Sequence, residues 1–170
     1  MHLSCGACIV RDWRSSDRES LVTFANNVNV WRNLSHRFPH PYTAADADEW
    51  LAHVAGRPDT TSWALEVDGR AVGGIGIEPG EGVYAKSARF GYWLGEPWWG
   101  RGIMTAAAKA TADFVLAHYD FVRLEAAVFA WNPASMRVLE KAGFEREGVL
   151  RQSVWKDGRI ADAVLYARLR

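Results

Sequence analysis

The stretch Trp99-Gly100-Arg101-Gly102-Ile103-Met104-Thr105 constrains this chain more than any other, because of what stands on either side of it. Before it, Ala88, Phe90, Tyr92 and Leu94 fall at alternate positions and share one face of a strand from about Lys86 to Leu94. After it, Ile103, Ala107, Ala110 and Phe114 recur at helical spacing in a helix reaching about His118. A strand therefore feeds a glycine loop, Gly95 to Gly102, that opens directly into a helix. The first N–H groups of a helix have no internal partner, and the helix dipole leaves that end partly positive. Gly100 and Gly102 clear side chains from the backbone, so consecutive amides can converge on a phosphate, and Arg101 can reach a further one. The loop predicts a phosphate-bearing ligand.

The flanking segments set the fold class. Ala7 to Asp12 reads as a short first strand, and Ser16 with Glu19 is a capping-box pattern opening a helix through about Asn26. Pro39 and Pro41 exclude regular helix from the segment Leu34 to Tyr42. Thr43 with Asp46 caps a second helix to about Ala55, which Gly56 and Pro58 stop. Thr61 to Val67 and Arg70 to Glu78 are strands joined by the hairpin signal Asp68-Gly69. Beyond the glycine loop and its helix come a strand from Phe121 to Phe129 and a helix capped by Asn132, with Pro133 at its first position and Gly143 at its end. Strands Glu145–Trp155 and Arg159–Leu169 close the chain around Lys156-Asp157-Gly158. About seven strands and four helices in this order predict a mixed α/β fold, and 170 residues predict one domain over 1–170.

Charge and cysteine content remove several functions. Twenty basic and 20 acidic side chains balance, so no global field recruits nucleic acid or an anionic membrane. Lys109 and Asp113 interrupt the best apolar stretch, and the first eight residues make a poor signal peptide, so a cytoplasmic protein without a membrane span is expected. Cys5 and Cys8 have C-x-x-C spacing but no second ligand pair, so they read as two ordinary thiols, and no metal is expected.

Three phosphate ligands compete for the loop. A mononucleotide loop needs Lys-Ser/Thr after its glycines, which is missing here. A dinucleotide fingerprint needs a third glycine where Thr105 stands, and an acidic residue ending the next strand, whereas Glu125 lies inside it. Coenzyme A remains, since its pyrophosphate suits such a turn. Here the sequence resembles the GNAT N-acetyltransferases of the RimJ/RimL-type branch. The resemblance rests on Trp99-Gly100-Arg101-Gly102-Ile103-Met104-Thr105, on Asn132-Pro133-Ala134-Ser135-Met136-Arg137-Val138-Leu139-Glu140-Lys141-Ala142-Gly143-Phe144, and on Phe38-Pro39-His40-Pro41-Tyr42-Thr43. It implies a mostly antiparallel twisted sheet with a splayed central pair of strands, acetyl-CoA as cosubstrate, and a primary amine as acceptor, either a protein N-terminus or a small molecule.

Carried over by position, the resemblance places the pyrophosphate on the backbone of Trp99 through Met104, with Thr105 alongside, and the pantetheine on Tyr92, Trp93 and Leu94. Asn132 and Ser135 should face the thiol end. Two departures stand out: Pro97 replaces the Gln or Arg three residues before the first loop glycine, and Leu139 occupies the position of the thiol-acid tyrosine of many members. Some members of the branch use a serine one turn earlier instead, which matches Ser135.

Direct attack on a thioester needs a neutral amine, a stabilised oxyanion and a tolerated leaving thiolate. A backbone N–H near Leu94 is the oxyanion candidate. Glu78 is the first candidate base, because Gly74 and Gly76 share its strand face and leave room for a ligand or for neighbouring backbone; the other reading makes Glu78 a solvated strand end. Glu125 shares a face with Arg123, which reads as a structural ion pair. His36, Phe38, Tyr42 and Trp93 are the acceptor-side candidates, with His40 nearby, while most of the nine tryptophans belong to the core. Ser135 reads equally as a local cap of its own helix turn. A CoA-binding regulatory domain without chemistry is the rival function, a dinucleotide-binding module a more distant one, and the terminal strands are candidates for extending the sheet of a homodimer.

Overall fold

The computed structural model describes residues 1–55 and 61–170. Gly56 and Pro58, the expected stop of the second helix, lie outside the described residues. One eight-stranded sheet organises the rest, in the order β1-β2-β3-β4-β5-β6-β8-β7. The strands are β1 (His2–Ser4), β2 (Ile9–Arg11), β3 (Ser62–Val67), β4 (Arg70–Pro79), β5 (Ser87–Leu94), β6 (Arg123–Phe129), β7 (Glu145–Lys156) and β8 (Arg159–Leu169). Neighbours pair antiparallel except β5 and β6, which are parallel because helix α4 (Ile103–His118) crosses over between them. Helices α1 (Arg18–Ala25), α2 (Val28–Trp31), α3 (Ala44–Val54) and α5 (Pro133–Lys141) complete the fold. It is mixed α/β, as the sequence predicts.

The two elements beyond expectation are short. β1 pairs back on β2 across the turn holding Cys5 and Cys8, with the Cys5 N–H donating to the Cys8 carbonyl at 2.8 Å. Three residues are too few to leave an alternation in the sequence. α2 is one turn, capped by Asn27, whose side chain accepts from the N–H of Asn29 and Val30.

Capping chemistry explains where the other helices begin. Thr43 and Asp46 cap α3 as expected: Thr43 Oγ1 accepts from the Asp46 N–H at 3.3 Å, and the Thr43 N–H donates to the Asp46 carboxylate at 2.7 Å. The expected Ser16/Glu19 box does not form. Asp17 takes that place, its carboxylate accepting the Arg14 N–H at 2.8 Å and the buried Arg11 guanidinium at 2.7 and 2.8 Å. The bidentate pull of Arg11 moves the helix start to Arg18.

Period two divides the core at β5. Ala88, Phe90 and Leu94 point into the main cluster with Ile103, Met104, Ala107, Ala108 and Val115 of α4. Trp93 points to the other face, toward a smaller cluster of Leu21, Ala25, Tyr42 and Ala47. On α4, Met104, Ala108, Thr111 and Val115 are at the centre of the buried face, while the expected Ala110 and Phe114 lie at its flank. Alanines on nearly every side of this helix leave its orientation to packing.

Candidate active site

The site begins where the sheet stops pairing. β5 and β6 are partners only at Ser87, Ala88 and Arg89. Among the described residues, no strand lies beside the β6-facing edge of β5 from Phe90 onward. Which groups lie on that edge follows from alternation. Gly95 donates its N–H to Val72 O of β4 at 2.8 Å, while Lys86 O accepts the Val122 N–H from the β6 side at 2.9 Å. Even-numbered residues of β5 therefore turn their N–H and C=O toward β6, and Tyr92 and Leu94 present these groups in the gap. The splay expected of the central strands is present between β5 and β6.

β5 runs into a short 3-10 turn, Glu96–Trp98, and then into the glycine loop. Gly100 and Gly102 adopt φ of +74° and +75°, a left-handed backbone that other residues enter at a cost of about 1–2 kcal/mol. Among the described residues, nothing accepts the N–H groups of Gly100, Arg101, Gly102, Ile103 or Met104, while the Ala106 N–H makes the first helical bond, to Gly102 O at 3.1 Å. Five free amides at the positive end of a 16-residue helix form an anion cradle. Trp99 Nε1 donates to Leu94 O at 2.7 Å and ties the loop back to β5, and Arg101 packs over the Trp98 ring with its guanidinium carbon 5.0 Å from the centroid. Buried Cys8 reaches the same place, its thiol 3.9 Å from Ile103 O. The Cys8 thiol also lowers its neighbour Cys5 to about 7, while its own acidity is suppressed.

A cavity of about 430 Å³ joins loop and gap. Its wall includes every residue the sequence assigned to the cofactor: Tyr92, Trp93, Leu94, Trp99, Gly100, Arg101, Gly102, Ile103, Met104, Thr105, Asn132 and Ser135. Sequence reasoning did not assign Val30, Asn33 and Leu34, which enter from the α2 side, nor Trp98. It also did not assign Ala134, Arg137, Val138 and Lys141, although their i, i+3, i+4, i+7 spacing marks one face of α5 and was there to be read. Arg101, Arg137 and Lys141 make the wall cationic.

At the narrow end, Asn132 caps α5 by accepting the Ser135 N–H at 3.1 Å. Ser135 does not turn its hydroxyl onto its own helix turn. Its Oγ stands 2.8 Å from the Tyr92 hydroxyl, which burial and nearby Tyr166 push well above the ordinary phenol range despite the opposing bond to Ser135. Leu139 is fully buried in the core, so the phenol in the cavity wall comes from β5, not α5.

The remaining candidates lie outside this wall. Phe38 packs edge-on against Trp93 with centroids 5.5 Å apart, and Tyr42 packs on Phe38 at 5.3 Å, so these two back the cavity wall through Trp93. His36 is exposed, and His40 stacks on Trp31 at 5.4 Å. Glu78 is not brought to the cavity. It lies opposite Arg89 in the β4–β5 register, five residues from Gly73, the partner of Leu94, which is about 17 Å along a strand. Arg37 binds it at 2.9 Å and, with Arg89, holds its carboxyl below the usual range. The space expected beside Gly74 and Gly76 is filled by the protein: Cβ atoms there would meet Trp93 Nε1 at 2.7 Å and Thr61 O at 2.5 Å. Glu125 does pair with Arg123, at 3.4 Å. Among the described residues no cluster of His, Cys, Asp and Glu could hold a metal, and no helix is long and apolar enough to cross a membrane.

The chain is similar to known acetyltransferases in sequence and in fold. The chain is 40% identical over 80 residues to the probable N-acetyltransferase YjcK of Bacillus subtilis, a match spanning 44% of each chain. The L-amino acid N-acetyltransferase AaaT of Escherichia coli is 25% identical over 163 residues, 95% of this chain and 98% of that one. In three dimensions, RimL, the ribosomal L7/L12 alpha-N-protein acetyltransferase solved with coenzyme A, superposes with a TM-score of 0.82 at 22% identity, covering 99% of this chain and 98% of that one. The model of the acetyltransferase (GNAT) domain matches residues 8–145, from β2 across the glycine loop to the first residue of β7. The chain belongs to the GNAT acetyltransferase family.

Proposed function

We propose that residues 1–170 form one acetyltransferase unit that moves an acetyl group from acetyl-CoA to a primary α-amino group. The observation that carries this reading is the pairing of a free amide cradle at Gly100–Met104 with a β5 edge that no strand covers at Tyr92 and at the Leu94 N–H, joined by one cavity. The residues fit the cosubstrate chemically. Five N–H groups and the cations Arg101, Arg137 and Lys141 suit its phosphates, and the amide-bearing pantetheine arm suits an unpaired β edge.

When bound, acetyl-CoA supplies an acetyl thioester: the amine nitrogen bonds its carbonyl carbon, the carbon–sulfur bond breaks, and the amine's proton goes to the departing sulfur. The chain's own groups prepare that event. The Leu94 N–H, facing the gap, donates to the carbonyl oxygen as charge develops there. The Ser135 hydroxyl donates to the sulfur, and a thiolate is a good enough leaving group for a weak donor to be sufficient. Asn132 holds the first turn of α5, and so Ser135, in place. Trp93, backed by Phe38 and Tyr42, walls the acceptor side, with His36 at its exposed rim.

The preference for an α-amine follows from the wall. Among the described residues, no Asp, Glu or His lines the cavity, so the acceptor must arrive neutral. At pH 7.5 about one in four α-amino groups is neutral, against about one in a thousand lysine side chains. The names of AaaT and RimL point the same way, since a free amino acid and a protein N-terminus share this group. The ribosomal acceptor of RimL supports action in the cytoplasm. Glu78, paired with Arg37 at the far end of β4, is assigned to holding that arginine.

The test is thiol release from acetyl-CoA with free amino acids, short peptides with open N-termini, and Nα-blocked peptides carrying one lysine. The first two classes are expected to turn over, with rates rising toward the acceptor's own pKa. Tight acetyl-CoA binding without turnover of any amine would overturn the reading in favour of a non-catalytic CoA-binding domain.

A further inference from the structure

Ser135 occupies the third position of α5, where a serine hydroxyl often bonds its own helix turn. It is instead engaged from another element. The Tyr92 hydroxyl of β5 lies 2.8 Å from Ser135 Oγ and 3.2 Å from the Ser135 carbonyl oxygen. Two hydroxyls and one carbonyl share two hydrogens, which leaves two arrangements. In one, Ser135 donates to Tyr92 and Tyr92 donates to the carbonyl. In the other, Tyr92 donates to Ser135 Oγ, and the serine's own hydrogen is free to point into the cavity that both side chains line.

We propose that Tyr92 is a positioning residue, its hydroxyl moving from the Ser135 carbonyl to Ser135 Oγ so that the serine hydrogen turns onto a sulfur anion in the cavity. The proposal rests on the reading of Ser135 as the donor to the leaving sulfur, and deepens it. Tyr92 remains a neutral phenol throughout, because burial and Tyr166 of β8 oppose its ionisation. It supplies a hydrogen bond and loses no proton. Without it, the serine hydrogen is free to turn onto the carbonyl of its own residue or helix turn, and the sulfur competes with that bond. The phenol that Leu139 does not provide from α5 is thus supplied, one hydroxyl removed, from the strand.

The experiment is calorimetric affinity for CoA and for desulfo-CoA between pH 6 and 10, on the wild type, Tyr92→Phe, Ser135→Ala and the double variant. Arg101, Arg137 and Lys141 line the same cavity, Tyr166 lies behind Tyr92 in the core, all four are common to the four proteins, and the phosphates are common to both ligands. A donor to the thiolate lowers the thiol's bound pKa, so wild-type affinity for CoA relative to desulfo-CoA should rise about tenfold as the pH rises from the bound thiol's pKa to that of the free thiol. Both single variants are expected to lose that rise, and the double variant to lose no more. In turnover, each single variant should lower kcat about tenfold with KM for acetyl-CoA within about twofold, and Tyr92→Phe should add nothing to Ser135→Ala. Ser135→Thr, which keeps the hydroxyl, should retain the rise only while Tyr92 is present.

A Tyr92→Phe protein that keeps the rise which Ser135→Ala loses overturns the proposal and leaves the serine's role standing. Additive losses, or equal weakening toward desulfo-CoA, also overturn it, since they mark Tyr92 as a packing residue. A wild type with no rise and an unaffected Ser135→Ala overturns the role of Ser135 itself, and the proposal with it.

Discussion

Strand β4 and the loop after β5 both depend on glycine, and they depend on it for different reasons. In β4 the missing atom is the point. A Cβ at Gly73 would stand 2.4 Å from the Trp93 carbonyl oxygen, and one at Gly76 would stand 2.5 Å from Thr61 O, so neighbouring strands occupy the volume a side chain would need. In the loop, Cβ atoms at Gly100 and Gly102 would meet nothing within 4 Å, but the backbone there has φ of +74° and +75°. One set of glycines lets the protein pack against itself. The other sets the direction of amides that the protein leaves free.

This contrast can be broken by substitution. Gly76→Ala should have the largest effect, about 2–3 kcal/mol of stability, because the obstacle is backbone and cannot swing aside. Thermal unfolding should show a midpoint lower by about 5–10 °C, with acetyl-CoA affinity of the folded protein unchanged. Gly100→Ala should reverse the pattern, with a smaller drop in midpoint and about tenfold weaker acetyl-CoA binding by calorimetry. If Gly100→Ala binds normally, the left-handed backbone is not what aims the amides. Trp99→Phe, which removes the bond to Leu94 O, should raise KM for acetyl-CoA about fivefold, reflecting a hydrogen bond worth about 1 kcal/mol. Glu78→Gln should change turnover by less than about twofold, because it removes only exposed ion pairs with Arg37 and Arg89. A hundredfold loss there would restore Glu78 as the base and displace the account given for the acceptor.

How far the site could be read in advance depends on the kind of contact. Gly100, Gly102 and the start of α4 were legible because a helix N-terminus after glycines is a local arrangement, written in consecutive residues. Ser135 was legible only as a choice between two partners, its own turn or a ligand, and the fold adds a third, Tyr92, 43 residues away in sequence. The strand face of Gly74, Gly76 and Glu78 was read correctly as a face with missing side chains. What fills it, Trp93, Trp13 and Thr61, comes from other elements, and alternation within one strand carries no information about its neighbours. The first helix shows the same limit, since Ser16 and Glu19 match a local rule that Asp17 overrides through Arg11 of β2.

The sequence by itself determined the order of the longer strands and helices, the strand–helix–strand passage through α4 and the backbone cradle, because each follows from periodicity, capping and chain reversal over a few residues. The tertiary structure alone decided how far β5 and β6 stay paired, that no carboxylate among the described residues lines the cavity, and which hydroxyl meets Ser135. Those outcomes depend on distances between segments far apart in the chain, and such distances are set only when the whole core packs at once.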